Sequence, residues 1–445
     1  MKTADRVAPL TSPRILFLTS SAFNNVTGGG ITFTNLFKGW PADSLATVHS
    51  DPIPVARDVC EQYFRLSKRE INRLGWLRYI PMSAQPNTSP VMEGGKAQQM
   101  VVRRTLLKLK TWLFGDGIPQ EACLSEALEA WVSSFQPTLL YTILGSNEMM
   151  ELAEKLRVRY RLPLVVHIMD DWPCAIYRGG LLSFWQRRKK DRLLQHLMNV
   201  AVARFAICQD MAEAYEVRYK RSFQWFQNAI DIAVVQRFVK NPLVVGSPIR
   251  VAYLGSVFPN AQLQSLVDCC NAVQALYHEG FAIRMEIYSP SHAAEQYREQ
   301  LVVGPAIRLQ DTITDDEVFF RTLQDLDVLV LPVNFDEQTV QYIRYSMPTK
   351  VPAYLAVGTP ILVYGPAEVA QVAYAKKAGW GMLLTMRDMG ALKDALKRLA
   401  TDMPLRQDLS DRARQMAAAH HDARVVREQF QTALYSASAS NVAFS

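Results

Sequence analysis

The amino-acid sequence predicts an α/β protein of two doubly wound domains, each a parallel sheet covered on both faces by helices. Three observations carry this. A chain of 445 residues is too long for one ordinary core and suits two. Short, continuously apolar runs of strand length alternate with helix-like stretches, the mark of strands buried on both faces. The alternation occurs in two series, parted at "FVKNPLVVGSP" (238–248), where Pro and Gly mark a linker. The expected divisions are 1–240, 241–410 and a terminal segment 411–445 whose helix crosses back to the first domain.

In the first series "RILFLTS" (14–20) reads as the opening strand. "NNVTGGGITFTNLFKGWP" (24–41) follows as a glycine turn and helix. "LATVHS" (45–50), "TLLYTIL" (138–144), "LPLVVHIMDDW" (162–172), "RFAICQ" (204–209) and "FQWFQN" (223–228) supply further strands. The second series runs through "IRVAYLGSV" (249–257), "IRMEIYS" (283–289), "IRLQDTI" (307–313), "LDVLVLPV" (326–333), "TPILVYG" (359–365) and "GMLLT" (381–385). Helical stretches at 260–280 and 314–325 separate them, and 404–435 reads as helical.

Composition excludes several classes. At 49% hydrophobic and 20% charged residues the chain can bury large cores, so disorder is confined to ends such as "SASASNVAFS". No apolar stretch reaches the roughly 18 residues of a spanning helix, and "MKTADRVAPLTSPR" lacks a signal-peptide core; a cytoplasmic protein is expected. Six scattered cysteines without a CxxC pair point to neither zinc nor a disulfide framework.

The net charge of +7 is unevenly spread. Residues 1–240 hold 31 Lys and Arg against 21 Asp and Glu, and the remainder 18 against 21. The basic excess gathers in 65–78, 103–114 and 184–194, where cations mix with Trp, Phe and Leu. Such segments fit an anionic membrane surface or an acidic substrate; solvated faces of ordinary amphipathic helices fit too. No recognition motif accompanies the charge, so nucleic acid is not an expected partner.

Three stretches could carry chemistry. Gly28, Gly29 and Gly30 would let backbone approach a ligand and present a helix N-terminus to a phosphate; a plain turn is the structural alternative, and no GxGxxG fingerprint is present. His167, Asp170 and Asp171 leave an apolar strand together, which is costly unless they are solvated or paired. They could serve as general base or orient an acceptor hydroxyl; a satisfied core histidine is the alternative. In "YIRYSMPTKVPAYLAVGTPILVYGP" (342–366), Arg344, Ser346, Thr349 and Lys350 lead into a helix, where Lys350 could meet a diphosphate. Alternatively, Pro-Thr is a helix opener and Lys350 a solvated cation.

Almost the whole chain resembles the GT-B glycosyltransferases, the two-Rossmann-domain type, and within them the family 4-like group. The resemblance rests on "GGGITFTNLF", on Met211, Ala212, Tyr215, Asn228, Ile230 and Asp231 in "AICQDMAEAYEVRYKRSFQWFQNAID", on "YLGSV", and on "PTKVPAYLAVGTPIL". It implies that a nucleotide-sugar donor binds 250–366, with Gly255 and Ser256 in the strand turn, and that a saccharide or lipid-linked acceptor meets the first domain. Two glutamates usual in that family are replaced by Tyr345 and Ala353; Asp336 and Glu337 are the candidates to act in their place. "SVFPNAQ" stands where the family carries Arg and Lys, which leaves Lys350 and Arg344 as the cations.

The expected activity is therefore sugar transfer from a nucleoside diphosphate to a hydroxyl in surface polysaccharide or glycolipid assembly. The resemblance favours retention without metal or cofactor, and the carboxylate pair keeps inversion open. Peripheral attachment at the inner membrane face is expected from the basic segments. A degenerate binding or scaffold subunit and a nucleotide-sugar epimerase are the alternatives.

Overall fold

The computed structural model describes residues 12–24, 27–73, 108–115 and 117–440. Parts of the basic segments 65–78 and 103–114, and the last residues of the tail, lie outside them. Contacts divide the chain into two compact units, one of Met1–Phe226 with Arg427–Ser445 and one of Gln227–Val426. The division falls at 226/227 rather than at 240. The intervening segment packs within unit 2, where Lys240 Nζ reaches Asp327 Oδ1 at 3.2 Å.

Unit 1 holds a seven-stranded sheet in the order β3-β2-β1-β6-β7-β8-β9. These strands are β1 (Ile15–Thr19), β2 (Leu45–His49), β3 (Gln62–Arg65), β6 (Leu139–Ile143), β7 (Leu164–Ile168), β8 (Ala203–Ala206) and β9 (Gln224–Trp225). All pair in parallel. An antiparallel pair, β4 (Ile71–Arg73) and β5 (Gln120–Ala122), stands apart. Most of these strands are buried along their length, which is why the sequence shows runs rather than alternation. One face of the sheet is closed by aromatic rings: Phe17 meets Phe33 and Tyr141, and Phe430 from the last helix packs on Phe37, Phe205 and Phe226.

Unit 2 repeats the plan with six parallel strands in the order β12-β11-β10-β13-β14-β15. They are β10 (Ile249–Leu254), β11 (Ile283–Tyr288), β12 (Ile307–Gln310), β13 (Val328–Pro332), β14 (Ile361–Tyr364) and β15 (Met382–Leu384). Val251, Leu266, Val273, Met285 and Leu396 are among its fully or almost fully buried core. The chain leaves β10 towards β11 on one side and later returns to β13 on the other. The order therefore reverses between β10 and β13, and at such a switch point the strand C-terminal ends leave a crevice for ligand.

Candidate functional site

The ends of β10 and β13 are held by polar side chains. Asn334, just beyond β13, accepts from Ser265 N at 3.2 Å and donates to Pro259 O at 2.7 Å, while Ser265 Oγ donates to Val333 O at 2.7 Å. The two loops of the switch point are thereby bonded to each other. Tyr354, in the helix Val351–Val357, accepts from Leu254 N at 3.0 Å and fixes that helix to the last residue of β10.

Beside this junction the structure brings Gly255 and Lys350 together. Gly255 has φ of +143°, and a Cβ there would lie 2.9 Å from Lys350 Nζ; a side chain would displace the ammonium. Lys350 Nζ lies 3.6 Å from the centroid of the Tyr253 ring, a cation–π contact. That ring is fixed in turn, since Tyr253 donates to Ser256 O at 2.7 Å and accepts from Gln262 Nε2 at 2.7 Å. Among the described residues no carboxylate pairs with Lys350. Burial of the ammonium without a counter-charge pulls its pKa down to about 7.

The backbone before Lys350 is positioned from below. Asn228 Nδ2 donates to Thr349 O at 2.7 Å, and Asn228 O accepts from His421 Nδ1 at 2.9 Å. His421 is wholly buried, and burial lowers its pKa to about 4. It is neutral near pH 7, so Nδ1 carries the proton and Nε2 accepts from the Tyr374 hydroxyl at 3.0 Å. Asp231 caps the next short helix, accepting from Ala233 N at 3.1 Å. Sequence reasoning singled out Asn228 and Asp231 through the resemblance and missed Tyr253, Tyr354, Tyr374 and His421. The tyrosines inside apolar runs were the available signal; His421 had none.

Other expected donor residues take different parts. Arg344 ends the helix Glu337–Ile343 with its side chain exposed, and Ser346 lies in the same connection to Lys350. Asp336 is a helix cap, accepting from Thr339 N at 2.8 Å and from Thr339 Oγ1 at 2.7 Å, so its carboxylate is engaged by its own helix. Glu337 is exposed and accepts from Gln341 at 3.2 Å. The Gly255 N–H, a candidate phosphate donor, is already given to Tyr288 O at 2.9 Å.

In unit 1 the glycines form no turn of their own. Gly28, Gly29 and Gly30 are the first three residues of the helix Gly28–Phe37, capped by Thr27, which accepts from Gly30 N at 3.1 Å. A Cβ at Gly30 would fall 2.3 Å from Asn24 Nδ2. That glycine therefore makes room for Asn24, whose Oδ1 accepts from Thr27 N at 2.7 Å. Gly28 is exposed and Gly29 partly so.

The expected catalytic cluster comes apart. His167 points into the core with 0% exposure, hydrogen-bonded through Nδ1 to the Tyr141 hydroxyl at 2.6 Å and ringed by Phe33, Tyr141 and Phe205. Burial lowers its pKa to about 3. A neutral imidazole sealed in this way cannot reach an acceptor hydroxyl, which removes it from the catalytic set. Asp171 is 3% exposed and accepts from Tyr215 at 2.7 Å and from Arg218 at 2.8 and 3.2 Å. Burial alone would raise its pKa, yet Arg218 and Tyr215 outweigh it and hold the carboxyl below its usual range. Tyr215, which the resemblance picked out, thus serves a structural ion pair. Asp170, partly buried and engaged in an interaction of its own, is the remaining carboxylate at this strand end. Among the described residues no group of three His, Cys, Asp or Glu side chains could hold a metal ion.

Neither a family model nor a curated protein sequence matches the chain. Solved structures do. Sucrose-phosphate synthase (tll1590) from Thermosynechococcus elongatus superposes with a TM-score of 0.62 at 15% identity, covering 95% of this chain and 98% of that one. Anabaena Alr3699/HepE in complex with UDP gives 0.60 at 13% identity, over 95% and 100%. WaaG, a glycosyltransferase involved in lipopolysaccharide biosynthesis, gives 0.57 at 11% identity, over 94% and 99%. At such identities the likeness establishes the fold: two Rossmann-like units of the GT-B type.

Proposed function

We propose that the protein is a glycosyltransferase that moves a sugar from a nucleoside diphosphate donor to an acceptor hydroxyl, with the donor diphosphate held by unit 2. The observation that carries this is the Lys350 ammonium. It is desolvated, without a carboxylate partner among the described residues, and fixed over Tyr253 beside the β10 end at the switch point. Lys350 is partly exposed as a residue, so an incoming anion could reach the ammonium and supply the counter-charge it lacks. Cleavage of the anomeric bond leaves negative charge on the diphosphate, which a fixed cation stabilises most where water is excluded.

Lys350 carries that charge in this reading, with Arg344 as the second cation and Ser346 and Ser256 as neutral donors. The neighbours support a uridine nucleotide as the first donor to try, since HepE was solved with UDP, with UDP-glucose, and with UDP and glucose. Asp170 is assigned to the acceptor side in unit 1. The exposed start of the helix Gly28–Phe37 offers N–H groups to an anion there. The family resemblance favours retention and no metal, with a saccharide or lipid-linked acceptor in surface polysaccharide or glycolipid assembly.

A specific observation favours a second reading. Tyr345 and Ala353 supply no carboxylate, and Asp336 is spent on capping its helix; a subunit that binds donor without turning it over would tolerate this. A screen of UDP-, GDP-, ADP- and TDP-sugars by thermal shift and donor hydrolysis separates the two. Stabilisation with slow sugar release, both lost in Lys350→Ala, supports the transferase. Stabilisation without release moves the assignment to the binding subunit, and no stabilisation by any donor removes both.

A further inference from the structure

We infer that unit 1 carries a docking surface for an anionic lipid bilayer, built from two segments distant in sequence. Helical residues 108–114 and the start of the helix Ser183–Val200 are joined by backbone hydrogen bonds, Leu181 N to Trp112 O at 2.9 Å and Leu182 N to Leu113 O at 2.7 Å. The junction is close because glycines meet there; a Cβ on Gly115 would fall 2.0 Å from Arg178 O, and one on Gly180 would fall 2.2 Å from Gly115 N. On this joint stand Leu109, Trp112, Leu181, Phe184 and Trp185. All five are exposed, the two tryptophans and Leu181 to more than 60%.

Large apolar side chains gathered on a monomer surface mark an interaction site. The charges beside them select the partner. Phe184, Trp185, Arg188 and Arg192 recur at helical spacing, so two exposed guanidinium groups extend the stripe that carries the aromatic rings. Lys108 stands one helical turn from Trp112 on the other segment. Arg192 Nε donates to Arg188 O at 3.4 Å along the stripe, and no carboxylate pairs with either arginine among the described residues. The lysines of this helix are the ones in ion pairs, Lys189 with Glu151 at 2.5 Å and the buried Lys190 with Asp191 at 3.3 Å. Indole rings flanked by arginine and lysine suit the headgroup boundary of a bilayer, the rings entering at the level of the acyl chain ends while the cations stay on the phosphates. Among the described residues no helix is long and apolar enough to cross a membrane; the contact inferred here is interfacial, of the kind that binds reversibly.

Co-sedimentation with vesicles tests this without reference to activity. The full chain is mixed with phosphatidylcholine vesicles and with vesicles containing phosphatidylglycerol, at low and high salt. Binding to the anionic vesicles, weakened by salt, is expected. Partition should fall about tenfold in Trp112→Ser/Trp185→Ser and again in Arg188→Glu/Arg192→Glu, with the melting temperature unchanged in both. No binding by the natural sequence, or equal binding by the variants, overturns the inference. So does a concentration-dependent dimer in sedimentation equilibrium that the tryptophan variant abolishes, since a second copy would then be the occupant.

Discussion

Lys350 places its ammonium 3.6 Å from the centre of the Tyr253 ring, and its pKa lies at about 7 rather than near that of an ordinary lysine. The charged form is the one that binds an anion. Donor affinity should therefore be highest below about pH 7 and fall by up to about tenfold per unit above it, as free protein loses the proton that the complex needs. Binding above this pH should take up a proton from buffer. Calorimetry in buffers of different ionisation enthalpy measures that uptake, and Lys350→Arg should remove the pH dependence because guanidinium does not titrate there.

Asn228 and His421 act on Lys350 through the Thr349 carbonyl. His421→Phe keeps the volume and deletes one donor and one acceptor, whereas His421→Gln preserves both. The phenylalanine variant should raise the KM for donor about tenfold with a smaller change in kcat, and glutamine should restore it. A fall in melting temperature with unchanged KM would make His421 a packing residue only.

His167 and Asp171 should affect stability rather than chemistry. His167→Phe leaves the Tyr141 hydroxyl buried without a partner and should cost about 1–3 kcal/mol, with turnover per folded molecule retained. Arg218→Ala should cost about 2–4 kcal/mol by stranding the buried Asp171 charge. The Asp171 pKa is lowered in the folded state, so its contribution is full above the ordinary carboxylate pKa and is lost as pH falls through the lowered value. Urea unfolding at pH 7 and pH 3 should show the effect of Arg218→Ala shrinking at the lower pH.

The helix Gly28–Phe37 separates room from function. Gly29→Ala finds Phe33 at an ordinary 3.7 Å and should be neutral or stabilise by up to about 1 kcal/mol. Gly30→Ala collides with Asn24 and should destabilise by about 1–3 kcal/mol. Equal effects in thermal unfolding would contradict the packing account of Gly30.

Most strands of the two sheets were legible because they are short and apolar and the central ones are buried on both faces: 138–144 contains Leu139–Ile143, and 249–257 contains Ile249–Leu254. β3 escaped because "QYFR" is only partly buried and carries polar ends, and the β4–β5 pair joins residues about 50 positions apart. In the site, Lys350 stood out by its Pro-Thr setting, but the ring beneath it did not, since Tyr253 reads as one more strand residue. His167 and Asp171 misled for a physical reason. A polar residue at a strand end is costly in either role, and sequence does not say whether Tyr141, Arg218 and Tyr215 are there to offset that cost.

The most direct test of the central claim is calorimetric binding of UDP and of uridine to the natural sequence and to Lys350→Met. If Lys350 holds the diphosphate, the natural chain binds UDP far more tightly than uridine, and the methionine variant weakens UDP about 10- to 100-fold while leaving uridine unchanged. UDP bound equally well by both proteins would contradict the account.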